Sequence, residues 1–409
     1  MIRGAVGAPV KHASKGRMYD MKELKPRERV ERVLRHEPVD RVPLFYRFKH
    51  EAKEKLARVY GIEDASTGRA HNPDLELRLG NDIVLYQVGI NADFSHRHIE
   101  IGETWYNHFG VGYGKSGLQG RNAEEQAEFS KTQEFWGPAK VVPENFPSSH
   151  PIQSVEELAN YTWPDPADPA ILDPIDEIIE KYGDDYWIIV DMSSTLIEAA
   201  YAHIVGTQKF FLMMFDEPDM IAGVLDGLTE YYTELGRNII KKGVDMVRVG
   251  DDVGAQQAMM ISPAQWRELA KPRFKYMFDT WRKERSDIYI KLHSCGDYSP
   301  IIGDQVELGV DLSGLMQPTG GNKEQVEIKK KYGNDIAFVG GFDVQNLLPR
   351  GQVEDIRKGV HDTIKNLGTG GGYIFSPSHY VLADVPVQNI YAMLEAQRDF
   401  STYGRYPLD

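Results

Sequence analysis

Eight short runs of β-branched and aromatic residues punctuate this chain, and most are separated by stretches with helical periodicity. That alternation limits the fold more than any other feature. The runs are Val42–Tyr46, Asn81–Val88, Trp187–Met192, Val244–Asp252, Ile288–Ser294, Asp311–Gln317, Asp335–Asp343 and Gly372–His379. Near-continuous apolar strands alternating with helices belong to parallel sheets covered on both faces. Eight of them, each followed by a helical or looped crossover, predict an α/β fold of the (β/α)8 TIM barrel type. A doubly wound open sheet is the structural alternative. At 409 residues the chain is long enough for one large barrel. Start signals fit the helices: Ser262-Pro263 precedes AQWRELAKPRFKYMFDTW, and Asp384 precedes VPVQNIYAMLEAQRDF.

Two regions depart from the rhythm. Residues 1–24 are small, polar and basic without a hydrophobic period, and read as a flexible leader that carries no chemistry. From Lys25 a helix with Val30, Val33 and Leu34 on one face, closed by Pro38, forms an N-terminal helical extension. The connection from about residue 90 to 185 contains HIEIGETWYNHFGVGYG, which suggests a hairpin, and the Pro- and aromatic-rich FWGPAKVVPENFPSSHPIQ. Connections of that length are uncommon unless functional. It reads as an insertion after the second strand, placed over the mouth of a single barrel domain spanning 25–409.

The net charge of −14 argues against nucleic acid or an anionic membrane surface as partner, since both reward a clustered basic face. One cysteine cannot form an internal disulfide. Neither a signal-length apolar core nor a membrane-length apolar run is present, so a cytoplasmic location is expected.

In a (β/α)8 barrel the chemistry sits at the carboxyl ends of the strands. Those ends carry Asp191, Asp251 and Asp252, His293 and Cys295, Gln317, Asp343 and His379. His293 and Cys295 are the sharpest pair. Side chains at i and i+2 of a strand point the same way, so an imidazole and a thiolate can reach one zinc ion. A bland alternative is a small core thiol beside a satisfied histidine. A catalytic zinc takes three protein ligands, and the third is His379, Asp251 or Asp252. His96 and His98 in FSHRHIE form a rival pair inside the insertion. The Gly-rich LGTGGGYIF precedes a strand and lacks the context of a phosphate-binding loop, and no Gly-x-Ser-x-Gly elbow occurs.

Several stretches together, KPRERVERVLRHEPVDRVP, VGDDVGAQ, ISPAQWRELAKPRFK, LHSCGDY, VELGVDLSGLMQP, FVGGFDVQNLLPRG and GGGYIFSPSHYVLADVPVQNIYAMLEA, resemble the uroporphyrinogen decarboxylase superfamily in order. The resemblance implies a barrel and two candidate activities. Decarboxylases of this superfamily use an arginine-rich segment after the first strand; Arg47 matches its first arginine, but Phe48, Lys49 and His50 do not continue it. A polycarboxylate substrate needs buried cations, whereas the expected mouth, with Asp191, Asp251, Asp252 and Asp343, reads as acidic.

The other branch comprises cobalamin-dependent methyltransferases, whose thiol-using members are similar in binding zinc through His-x-Cys and a later cysteine. His293 and Cys295 match the first two positions, and His379 stands where the later cysteine is expected. The resemblance therefore implies methyl transfer from a small methylated oxygen or sulfur compound to cobalamin carried by a partner corrinoid protein. It further implies zinc on His293, Cys295 and His379, proton handling by Asp252 or Asp343, substrate positioning by Asp191, Asp251, Gln256 and Gln317, and a homodimer. A barrel that binds a small ligand or corrinoid without turnover is the non-catalytic alternative.

Overall fold

The computed structural model describes residues 23–61, 73–90, 97–101, 104–114, 147–319 and 324–402. Residues 1–22 of the expected leader, 115–146 of the insertion, and His96 lie outside the described residues. The described strands are β1 (Ile83–Gln87), β2 (Arg97–Ile101), β3 (Thr104–Asn107), β4 (Gly112–Gly114), β5 (Pro147–Ser149), β6 (Trp187–Ser194), β7 (Met246–Gly250), β8 (Tyr289–His293), β9 (Leu312–Met316), β10 (Ala337–Phe342) and β11 (Tyr373–Pro377).

One sheet runs β1-β6-β7-β8-β9-β10-β11, parallel throughout. With helices alternating between its strands, it forms the α/β (β/α)8 barrel expected from the sequence. The eighth stave is irregular. Residues 41–48 run between β11 and β1 without forming a regular strand. On the β11 side Phe45 N donates to Phe375 O, and Phe375 N to Pro43 O, each at 2.9 Å. Pro43 has no N–H to extend such a ladder. On the β1 side one backbone bond, Asp82 N to Leu44 O at 2.9 Å, is joined by side chains: Leu44 N donates to Asp82 Oδ2 at 2.8 Å, and Asn81 accepts from Tyr46 N (3.1 Å) and donates to Tyr46 O (2.9 Å).

Between β1 and β6 lies a four-stranded antiparallel sheet, β2-β3-β4-β5. It touches the barrel through a π-helical turn, Ala200–Ile204, that follows β6. Tyr113 Oη lies 3.2 Å from His203 Nδ1, and His150 Nδ1 lies 2.7 Å from His203 O.

The core divides in two. Phe45, Ile83, Leu85, Trp187, Ile189, Met246, Leu312, Ala337, Val339 and Ile374 pack together with Val30, Val33 and Leu34 of the helix Pro26–Leu34, which places that helix against the barrel interior. The larger cluster packs strands against the surrounding helices. Helix Pro263–Leu269 begins as the sequence suggests, with a Ser262–Gln265 capping box, whereas the last helix begins at Val387 behind Pro386 rather than at Asp384.

Along four adjacent strands the alternate side chains change from apolar to polar toward the carboxyl end: Ile83, Leu85, Gln87; Trp187, Ile189, Asp191; Met246, Arg248, Gly250; Tyr289, Lys291, His293. Register pairs Gln87 with Asp191, Asp191 with Arg248, and Arg248 with Lys291. A polar row thus crosses the sheet just below the mouth.

Candidate active site

Two loops meet at the carboxyl ends of β7 and β8. A Cβ at Gly254 would lie 2.4 Å from Cys295 O, and Gly296 adopts φ +67° with a Cβ position 2.4 Å from Gly254 C. Only glycine permits that contact at both positions. It brings Asp252 beside His293 and Cys295. One ligand atom from each of the three lies within 4.8 Å of the others, a spacing that one ion could bridge. Cys295 Sγ is 3.4 Å from His293 Nε2, which is 3.4 Å from Asp252 Oδ1; Asp252 Oδ1 also accepts the Cys295 N–H at 2.7 Å.

The donor chemistry fits a cation. His293 Nδ1 is 3.0 Å from Gly314 O, so this nitrogen carries the proton and Nε2 presents its lone pair to the cluster. Burial, then the charges of Arg248, Lys291 and Arg47, push the His293 pKa far down and keep the ring neutral. Burial and the neighbouring Asp252 raise the Cys295 thiol well above its usual value. Burial likewise raises Asp252, against the opposing Cys295 N–H. A divalent ion reverses both effects, because it displaces the thiol proton and neutralises the carboxylate.

Behind Asp252 stands Glu198, whose pKa burial and Asp252 raise well above normal. Asp251 is pushed to about 7, by burial first and Asp252 second. No described Lys or Arg forms an ion pair with Glu198, Asp251 or Asp252.

A second polar group lies alongside. Asp191 Oδ1 binds Arg248 Nη1 and accepts Ser193 N at 2.8 Å, while Asp191 Oδ2 accepts Gln87 Nε2 at 2.9 Å with Arg47 Nη1 at 3.5 Å. Burial opposes the Asp191 charge, but Arg248 and Arg47 outweigh it and hold the pKa low. Tyr380 accepts from Arg47 Nη1 (2.8 Å), donates to Gln87 Oε1 (2.9 Å) and stacks 4.1 Å from the guanidinium. Lys291, buried beside Arg248, donates to Gly314 O at 3.3 Å, the carbonyl that also orients His293. Burial and Arg248 lower its pKa strongly.

A cavity of about 160 Å³ opens beside the cluster at Cys295, lined also by Gln256, Gln317, Gln345, His379 and Tyr380 among others. That is below the roughly 300–1,000 Å³ of drug-sized pockets and suits a small ligand. Gln317 accepts Gly296 N (3.2 Å) and donates to Gln256 Oε1 (3.2 Å).

The expected site residues therefore divide. His293, Cys295 and Asp252 come together. Gln256, Gln317 and His379 line the cavity, with His379 outside the three-residue group and its pKa lowered to about 3 by burial, Arg47 and Lys49. Asp343 does not line it; its Oδ1 accepts Gln345 N (2.7 Å) and Asn346 N (3.0 Å) in the turn after β10. Asp191 and Asp251 face protein partners, Asp251 Oδ1 accepting Glu198 N at 2.8 Å. The acidic mouth inferred from the sequence is corrected: Arg47, Arg248 and Lys291 stand beside Asp191. Charged residues inside the apolar runs VDMVRVG and IYIKLH were the available signal, because buried charges need partners. Glu198 had no such signal.

The uroporphyrinogen decarboxylase (URO-D) family model matches residues 140–400, more than half of the chain. The chain belongs to this family. Among curated relatives, the methylated-thiol–coenzyme M methyltransferase of Methanosarcina mazei is 24% identical over 58% of this chain and 61% of its own length. A uroporphyrinogen decarboxylase of Coxiella burnetii is 24% identical over 52% of this chain and 57% of its own. The chain thus spans about three fifths of these two relatives. The methylcobamide:CoM methyltransferase MtbA of Methanosarcina acetivorans is 22% identical over 93% of this chain and 99% of its length. Within the URO-D superfamily, resemblance to the methyltransferase branch therefore extends along nearly the whole chain. A solved methyltransferase from Methanosarcina mazei shares the fold, with TM-score 0.62 and 20% identity over 92% of this chain and 99% of that one. No described helix is long and apolar enough to cross a membrane.

Proposed function

We propose that this protein is a metal-assisted methyltransferase that moves a methyl group from a small methylated oxygen or sulfur compound to cobalamin carried by a corrinoid protein. The observation that carries the reading is the His293 tautomer. Its lone pair faces Cys295 and Asp252 beside a small cavity that Cys295 lines, where one cation could take a ligand atom from each of the three.

In this reading Asp252, His293 and Cys295 hold zinc, with Asp252 rather than His379 as the third donor. A bound zinc supplies Lewis acidity at the heteroatom that gives up the methyl group. Gln317 fixes the β8 loop through Gly296 N, and with Gln256 and Gln345 presents amide groups that orient the substrate. His379, neutral at any ordinary pH, forms the wall with Tyr380. Asp343 is committed to its turn and takes no part. The relatives' printed names, a methylated-thiol methyltransferase and a methylcobamide methyltransferase, support methyl transfer and a cobamide as reactant.

The test is direct. Purified protein incubated with methoxylated aromatics or methylated thiols and chemically reduced cobalamin is expected to form methylcobalamin, visible by its absorption spectrum, and to lose this on Cys295→Ser. A wild type with neither bound metal nor cobalamin methylation contradicts the reading. The second reading, a carboxy-lyase, draws on Arg47, Arg248 and Lys291 around Asp191. A cavity of about 160 Å³ disfavours a tetrapyrrole, and release of carbon dioxide from a smaller acid would establish it.

A further inference from the structure

We propose that Glu198 and Tyr201, on the short helix after β6 that widens into a π turn, are positioning residues that set Asp252 as the third donor of the cluster, and that the inserted sheet holds that turn in place. The inference rests on the metal reading above but concerns residues outside the three-donor group.

The segment after β6, from Thr195 to Tyr201, grips Gly250–Asp252 at successive points. Thr195 donates to Gly250 O from both N (2.9 Å) and Oγ1 (2.7 Å). Glu198 N donates to Asp251 Oδ1 at 2.8 Å, and Glu198 Oε2 accepts Asp252 N at 3.2 Å. Tyr201 Oη donates to Asp252 O at 2.9 Å. Asp252 is therefore held at its N–H and at its carbonyl by two side chains three residues apart, one on either side of the junction between the α-helical piece and the π turn. With both backbone groups fixed, the side chain is left to face His293 Nε2 and the Cys295 N–H.

The local helix geometry makes this possible. Ile197–Ala199 is α-helical, and Ala200–Ile204 widens to a π turn. Such single widened turns add a residue to one turn and shift the faces beyond it, and they occur often at functional sites. The far end of the turn is anchored by the inserted sheet and the residues just after it: Tyr113 Oη of β4 on His203 Nδ1 at 3.2 Å, His150 Nδ1 on His203 O at 2.7 Å, and Ile152 N donating to Ile204 O at 3.2 Å. Thus a chain of direct contacts runs from β4 through the π turn to Asp252. The insertion has a mechanical role in the site without supplying a ligand.

The variants are Glu198→Ala, Glu198→Gln and Tyr201→Phe in the full chain, each checked for folding by thermal unfolding. Two readouts are taken: zinc affinity by competition with a chromogenic chelator, and amide hydrogen exchange by mass spectrometry across residues 249–254 and 293–297. For Glu198→Ala the expected result is zinc affinity about 10- to 100-fold weaker, the cost typical of losing an outer partner of a metal ligand, with faster exchange in both segments. Glu198→Gln keeps an oxygen acceptor for Asp252 N and is expected to restore both within about threefold. Tyr201→Phe is expected to fall between them. Unchanged zinc affinity and unchanged exchange in Glu198→Ala overturn the proposal, as does a Gln variant as defective as the Ala variant. If wild type binds no zinc, the metal reading fails by itself, and exchange in the Ala and Gln variants alone decides whether the turn positions Asp252.

Discussion

Two charged clusters in this barrel, one near each end, are treated in opposite ways. At the amino end Arg29 and Asp82 are almost wholly buried, and each meets opposite charge: Arg29 binds Asp40 (2.7 Å) and Asp82 (2.5 Å), and Asp82 also takes Arg41 (2.8 Å). At the carboxyl end Asp252, Asp251, Glu198 and Cys295 crowd together with the neutral His293, and no described cation pairs with the three acids. Paired buried charges orient and secure a fold. A part-buried cluster short of one sign of charge marks where something from outside supplies it.

Removing Asp82 attacks the paired end and has the largest expected effect on stability. Asp82→Ala leaves Arg29 and Arg41 short of a carboxylate and frees Leu44 N, so denaturant unfolding is expected to show a loss of about 3–5 kcal/mol, with zinc affinity of the folded protein unchanged. Asp252→Asn attacks the other end and should behave inversely. Zinc affinity falls by more than about 100-fold, beyond the cost of an outer partner, while the metal-free protein gains stability because a part-buried carboxylate raised by its surroundings is gone. Equal responses at the two ends would erase the contrast.

The pH dependence sharpens it further. Burial raises Asp251 to about 7 in the folded protein, against about 3.9 unfolded. The folded state holds this proton more tightly, so the contribution is fully present below about pH 4 and is lost as pH rises through about 7. Metal-free protein is therefore expected to lose stability across that window in a urea series, and Asp251→Asn to flatten the curve. The smallest effects are expected from two residues that the sequence placed in the site. His379→Ala should change zinc affinity by less than about tenfold, the lower edge for an outer partner; a complete loss of zinc would make His379 the third ligand. Asp343→Ala should cost about 1–2 kcal/mol of stability, by releasing two backbone N–H groups, and leave methyl transfer intact.

The strands were legible because they are buried on both faces and so read as unbroken apolar runs. Residues 41–48 were legible as a stave but not as an irregular one, since closure there depends on Asn81 and Asp82, whose role only tertiary contact reveals. His293 and Cys295 were legible from i, i+2 geometry at a strand end. The neighbour of that pair was not, because strand order decides it: β7 is hydrogen-bonded to β8 with Gly250 opposite His293, whereas β11 lies three strands away. That adjacency brings Asp252 nearer than His379. Arg248 and Lys291 could have been found as charges within apolar strands. Glu198 could not, because only tertiary contact places it behind Asp252, and Tyr201 could not, because a π turn shifts the helical face that periodicity would assign.

The most direct test of the central claim is zinc K-edge X-ray absorption on the purified, zinc-loaded protein. Asp252, His293 and Cys295 as donors predict one sulfur at about 2.3 Å together with nitrogen and oxygen scatterers at about 2.0–2.2 Å, and loss of the sulfur shell in Cys295→Ser. A wild-type spectrum without sulfur, or a sulfur shell that survives in Cys295→Ser, would contradict it.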